Sequence, residues 1–187
     1  MKCGVAGRTL ALVIFGLQPL FPGTAQADGK YGFESNVPTF LLDGHHGSVW
    51  YGENGRRARA VVAKAVYPGD LTEAGFKDKT LTFFELEFDF FFGEHAANFR
   101  GPWLASGFGR TRQEITSQSS GSRVGISTND FHFGGGYTFG LTQRTTINPW
   151  VGGDYHLNSP DAVAVGNETW NPKTLGLVGG VKVGIDF

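Results

Sequence analysis

Thr80 to Phe92 reads TLTFFELEFDFFF, and its period decides the fold. Taken two by two, one face carries Phe84, Leu86, Phe88, Phe90 and Phe92, and the other carries Phe83, Glu85, Glu87, Asp89 and Phe91. A helix would scatter these side chains around its surface, whereas a strand sorts them into an apolar wall and an acidic one. The stretch is long for an ordinary strand. It fits one that crosses a bilayer at a tilt, which needs about nine to eleven residues within the hydrocarbon.

Outward from that strand, the N-terminus speaks to the compartment. Lys2 and Arg8 precede or open an apolar run from Thr9 to Phe21, and Ala25-Gln26-Ala27 has the small-x-small pattern of a signal-peptidase site. An export signal is therefore expected over 1–27, with cleavage before Asp28 and a single domain over 28–187. The apolar run is too short for a membrane anchor, and Pro19 and Pro22 interrupt its end. Cys3 is the only cysteine and falls within the signal, so neither a disulfide nor a thiolate metal site is expected in the domain. The chain has 16 basic and 17 acidic residues, without the basic face that nucleic acid requires. No stretch reaches the ~18 consecutive apolar residues of a transmembrane helix. If the domain enters a membrane it must do so as a closed barrel, because an open strand edge leaves backbone groups unsatisfied in lipid. The 29 glycines and 17 phenylalanines suit closely packed strands girdled by aromatic rings.

The same period predicts seven further strands. Val37 to Leu42 is a weak first strand, since Pro38 suits an edge or a start. Others are expected over 48–52, 58–67, 103–112, 130–141, 145–157 and 173–187. Residues 113–129 and 158–171 read as long polar loops. In the last strand Leu175, Leu177, Val181, Val183, Ile185 and Phe187 alternate with Thr174, Gly176, Val178, Gly180, Lys182, Gly184 and Asp186. This alternation, ending the chain on an aromatic residue, resembles the C-terminal recognition signal of bacterial outer-membrane barrels. The domain as a whole resembles the small eight-stranded members of that class in length, signal and loop asymmetry. The resemblance implies an all-β fold, a single antiparallel up-and-down transmembrane β-barrel of about eight strands. It also implies a monomer in the bacterial outer membrane, touching lipid and lipopolysaccharide, with the Phe187 strand engaged by the barrel-assembly machinery. A soluble periplasmic lipocalin-like binding barrel alternates in the same way but buries its apolar face, and periodicity does not say which way the faces point.

Three groups of residues are candidates for chemistry. Lys64, Glu85, Glu87, Asp89 and Arg110 are expected to form a charge network inside the barrel, because Lys or Arg facing lipid costs up to ~2–4 kcal/mol at mid-membrane. An interior of about eight strands is just wide enough for side chains, so the network is expected to plug the lumen rather than conduct. If residues 142–144 are a hairpin turn, His132 lies opposite Asp154 and Asp130 opposite His156, on the polar face toward the outer mouth. His with carboxylate can bind a divalent metal or act as a general-base pair, but hydrogen-bonded interior polars are the simpler expectation. Finally, Asp43, His46 and Ser48 show the His-x-Ser spacing that resembles outer-membrane lipid A deacylases. Val49 stands where those enzymes carry asparagine, and the motif lies near the other end of the chain, so a polar turn is the simpler reading. No phosphate-cradling glycine loop occurs, and no cofactor or metal is expected. The expected role is structural, adhesive or loop-presenting rather than enzymatic, with an outer-leaflet lipid A-modifying hydrolase as the alternative.

Overall fold

A computed structural model describes residues 29–187; the expected export signal lies outside them. The chain runs β1 (Lys30–Asn36), α1 (Val37–Leu41), β2 (His45–Glu53), β3 (Arg56–Pro68), β4 (Phe76–Phe91), β5 (Gly101–Ser117), β6 (Arg123–Gly140) and β7 (Thr145–His156). A short hairpin of β8 (Val163–Val165) and β9 (Glu168–Trp170) follows, and β10 (Leu175–Asp186) ends it. Strands β1–β7 and β10 form a closed antiparallel barrel in which β1 pairs with β10. Each strand otherwise pairs with its neighbour in sequence, the up-and-down order expected.

The faces of β4 settle the orientation. Phe84, Leu86, Phe88, Phe90 and Phe92 point outward and are between 46 % and 49 % exposed, while Glu85, Glu87 and Asp89 are buried. The outward set continues around the barrel in Phe33, Phe108, Phe133, Phe139 and Ile185. An apolar band around a closed barrel is a lipid-facing surface. A lipocalin-like barrel would bury these rings in its lumen instead.

Local chemistry explains most connections. Asn54 and Gly55 both adopt positive φ, 51° and 74°, as a two-residue type I′ hairpin turn demands. This turn, residues 141–144 and residues 92–100 lie at one end of the barrel. The opposite end carries α1, residues 69–75, the tip of the β5–β6 hairpin and the β8–β9 hairpin.

Two expected boundaries are corrected. Val37 to Leu42 is no strand: its core is α1, where proline sits in the first turn and its missing N–H is harmless. The first strand is the preceding polar segment, Lys30–Asn36, which turns Tyr31 and Phe33 outward and Glu34 and Asn36 inward. Residues 113–129 are not one long loop either, because β5 and β6 stay paired from Gly101 opposite Thr138 up to Thr116 opposite Arg123. Beyond the apolar band Ile115 of this extension and Phe76 of β4 pack against Val165 and Trp170 of the β8–β9 hairpin. Ser117 and Ser119 hydrogen-bond Glu168 there and hold its carboxyl below the usual range.

Glycine makes room for the interior carboxylates. Gly109 of β5 lies directly opposite Glu85, and a Cβ on it would fall 2.4 Å from Glu85 Cγ and 2.5 Å from the Phe84 carbonyl oxygen. Gly109→Val is expected to destabilise the barrel by about 1–3 kcal/mol through overpacking. A lowered urea midpoint for the heat-modifiable form on a gel would show it; an unchanged midpoint would mean that β5 shifts freely.

Candidate functional site

The lumen divides into a sealed half at the end of the short turns, the inner side in barrels of this kind, and an open half at the end of the long hairpins, the outer side. In the inner half the β3–β4 register sets Arg57 opposite Asp89 and Arg59 opposite Glu87. Arg57 Nη1 donates to Glu34 Oε1 at 2.9 Å, and Arg57 Nε to Asp89 Oδ2 at 2.6 Å. Arg59 bonds Glu34 Oε2 at 3.1 Å, Asp89 Oδ1 at 3.0 Å and the Glu87 carboxylate. Two guanidiniums thus hold three carboxylates, all withdrawn from solvent. Lys182 of β10 adds a third cation, its Nζ 4.2 Å from the centre of the Trp150 ring and 5.6 Å from that of Trp103. Trp50, Phe91, Phe99 and Trp103 pack below the network, and the Arg57 guanidinium stacks 5.0 Å from the Trp50 ring centre. Trp103 Nε1 donates to Asn148 Oδ1 at 3.0 Å.

Glu87 and Asp89 lie in this network, Glu85 forms none of its ion pairs, and its cations are Arg57, Arg59 and Lys182 rather than Lys64 and Arg110. Lys64 and Arg110 face outward. On β3 the inward row is Arg57, Arg59, Val61, Ala63 and Ala65, so Lys64 shares the outer row with Val62. On β5 Arg110 shares the exposed face of Leu104 and Phe108. Both lie at the outer edge of the apolar band, Lys64 beside Thr82 and Arg110 beside Asn129. There a long side chain can reach the headgroups at a cost of about 0–1 kcal/mol. Glu34, Arg57, Arg59 and Lys182 were missed as network members. The one available signal was the place of Lys182 among the polar positions of the last strand, which gives its face but not its partners.

The outer half is a cavity of about 880 Å³. One wall carries Glu85, Gln113, His132, Asp154 and His156; Val61, Ala65, Tyr67 and Leu81 line another. The β6–β7 register sets His132 opposite Asp154 and Asp130 opposite His156. His132 Nδ1 lies 2.6 Å from Asp154 Oδ1, and His156 Nδ1 lies 2.5 Å from Asp130 Oδ1. Thr128 Oγ1 also donates to Asp130 Oδ1, at 2.8 Å.

The barrel wall is thinnest beside this cavity. β1 pairs with β10 only from Gly32 opposite Asp186 to Asn36 opposite Lys182, after which α1 leaves the sheet. Five successive residues of β10, Leu175 to Gly179, line the cavity. Side chains of a strand alternate between faces, so an unbroken run can line a cavity only where it meets the strand's unpaired edge. Pro38, Thr39 and Leu42, at and beside α1, occupy the gap. Irregular backbone at this depth is tolerated where it borders a water-filled cavity.

Asp43, His46 and Ser48 do not act together. Asp43 is exposed in the turn after α1. His46 and Ser48 both point inward from β2, but His46 Nδ1 accepts the Asn36 backbone N–H at 3.1 Å and Ser48 Oγ donates to the Glu34 carbonyl at 3.3 Å. Among the described residues no hydrogen bond joins them, so the nucleophile lacks the base contact that the chemistry requires.

Eight antiparallel strands, a lipid-facing apolar band and a charged interior define the small barrels of bacterial outer membranes, and that is the fold of this chain. Among solved structures, the N-terminal β-barrel domain of Pseudomonas aeruginosa OprF is similar at 17 % identity and a TM-score of 0.51, over 87 % of this chain and 100 % of that one. CarO2 of Acinetobacter baumannii is similar at 15 % identity and a TM-score of 0.48, over 87 % and 99 %. Neisserial surface protein A is similar at 12 % identity and a TM-score of 0.46, over 84 % and 92 %. No protein-family model and no curated protein matches the chain.

Proposed function

We propose that this chain is a closed, monomeric outer-membrane barrel with a structural or adhesive role, which displays its outer hairpins and cavity at the surface and neither conducts nor catalyses. The observation that carries the reading is the inner plug, in which Arg57 and Arg59 are paired with Glu34, Glu87 and Asp89 above a layer of four aromatic rings. A water column has no room beside such a network in a barrel of this size. The β5–β6 extension, braced by Trp170 and Val165, is a rigid surface for a partner to meet. Lys64 and Arg110 at the outer rim of the apolar band suit the phosphates of lipopolysaccharide. Phe187, stacked on Tyr31 at a ring-centre distance of 5.6 Å, ends the strand offered to the assembly machinery. The hydrolase alternative lacks a joined nucleophile and base. In planar bilayers the purified protein is expected to show no steady conductance. Stable, ion-selective channels would overturn this reading and put small-solute transport in its place.

A further inference from the structure

We infer that Glu85, His132 and Asp154 form a binding site for one divalent transition-metal ion, with zinc the best match, in the wall of the outer cavity. The three residues come from β4, β6 and β7, and each offers a ligand atom within 4.8 Å of the other two. What brings them together is the strand between. Gly107 and Gly109 of β5 lie opposite Glu87 and Glu85 on one side and opposite His132 and Asp130 on the other. With no side chain at either position, β4 carboxylates and β6 side chains meet across β5. The His132 ring is held in place by two more glycines, since a Cβ on Gly134 or Gly152 would stand 3.3 Å from it.

Charge supplies an independent reason. Arg57 and Arg59 are committed to Glu34, Glu87 and Asp89. Glu85, Asp130 and Asp154 form no ion pair with any Lys or Arg among the described residues; the only basic groups bonded to them are His132 and His156. Glu85 is 3 % exposed, lines the cavity and has no ion pair among the described residues; it hydrogen-bonds the Glu87 carboxyl, which requires a proton on one of the two that a bound cation would displace. Asp130 Oδ2 is buried without a hydrogen-bond partner. Buried carboxylates left without a counter-charge are strongly disfavoured, and one divalent cation answers the excess directly.

The donor chemistry selects the ion. One imidazole nitrogen with two carboxylate oxygens is a borderline set that suits zinc, manganese or ferrous iron better than calcium or magnesium, which prefer oxygen alone. The 2.6 Å contact uses His132 Nδ1 and Asp154 Oδ1, leaving Nε2 and Oδ2 as further donors. His156 and Gln113, 3.4 Å apart at their Nε2 atoms, line the cavity alongside. The cavity leaves a coordination position for water or an incoming anion.

The test uses tag-free full-length protein folded in detergent, stripped with chelator and titrated with Zn²⁺, with bound metal counted by mass spectrometry after desalting. One equivalent is expected to remain. His132→Ala and Glu85→Gln are each expected to weaken binding about tenfold or more, while His45→Ala, on the exposed rim, leaves it unchanged. Heat-modifiable migration reports whether each variant has folded, and Asp154→Asn replaces any that has not. Folded wild-type protein that retains no stoichiometric Zn²⁺, Mn²⁺ or Fe²⁺, or equal retention by His132→Ala, would overturn the assignment.

Discussion

Arg59→Met is expected to lower the unfolding free energy by about 3–5 kcal/mol, the cost of breaking a buried ion pair from one side. Arg59 bonds Glu34, Glu87 and Asp89, and its side chain is fully buried. Methionine has similar length but no charge, so the change leaves three carboxylates with Arg57 and the neighbouring Lys182. The loss is asymmetric: replacing the whole network by well-packed apolar side chains costs far less than orphaning one half of it. Lys64→Met is the matched control. It removes a cation from the same strand but from the lipid-facing row, and its effect should stay within about 0.5 kcal/mol. Urea midpoints in one detergent compare the two directly. Equal midpoints for Arg59→Met and Lys64→Met would mean that the inner network contributes nothing particular to stability.

Phe99→Ala is expected to cost about 3–5 kcal/mol, as large-to-small changes at buried aromatics do. Phe99 is 1 % exposed and lies in the connection between β4 and β5, at the inner end of the lumen. Its ring meets Trp50 edge-on at 5.2 Å and Phe91 edge-on at 5.5 Å. Gly52 leaves the space it fills, since a Cβ there would come within 2.8 Å of the ring. The backbone at Phe99 is left-handed, with φ of 55°. That conformation costs a non-glycine residue about 1–3 kcal/mol, and the ring's packing offsets it. Alanine keeps the strained backbone and loses the packing. Phe92→Ala, on the lipid face, is the comparison: if both variants shift the urea midpoint alike, the inner aromatic layer is not what closes this end.

How much of this was legible beforehand depended on contrast between the two rows of each strand. In β4 phenylalanines alternate with carboxylates, and in β10 aliphatics alternate with glycine, so period two declared both strands and the barrel. The hairpin through residues 142–144 then fixed His132 against Asp154, because pairing across a short turn leaves little freedom. In β3 the contrast fails. Ala58, Ala60 and Val62 on one row are as small and apolar as Val61, Ala63 and Ala65 on the other, so nothing local showed that Arg57 and Arg59 point in and Lys64 out. In β5 the charge of Arg110 outweighed its greasy neighbours Leu104 and Phe108, although the interface lets a long cation share their side. Lys30–Asn36 reads only as a polar stretch because its inward residues are polar, which is what a charged lumen requires of them. Lys182 and Glu34 join the network only when the ends of the chain meet, and no local pattern reports that.

The thin wall beside the outer cavity bears on the order of assembly. The β5–β6 ladder runs for sixteen residue pairs between segments adjacent in the chain, whereas β1 and β10 share five. Long ladders between neighbours close small loops, while joining β1 to β10 closes a loop spanning nearly the whole domain. The chain has therefore placed its largest entropic debt on a ladder as short as any in the barrel, matched only by the five pairs of β1 with β2. Its hairpins can form as an open, curved ribbon long before the circle is complete, and the final join engages few hydrogen bonds at once. The same economy makes that join the most reversible one in the barrel, a latch rather than a weld.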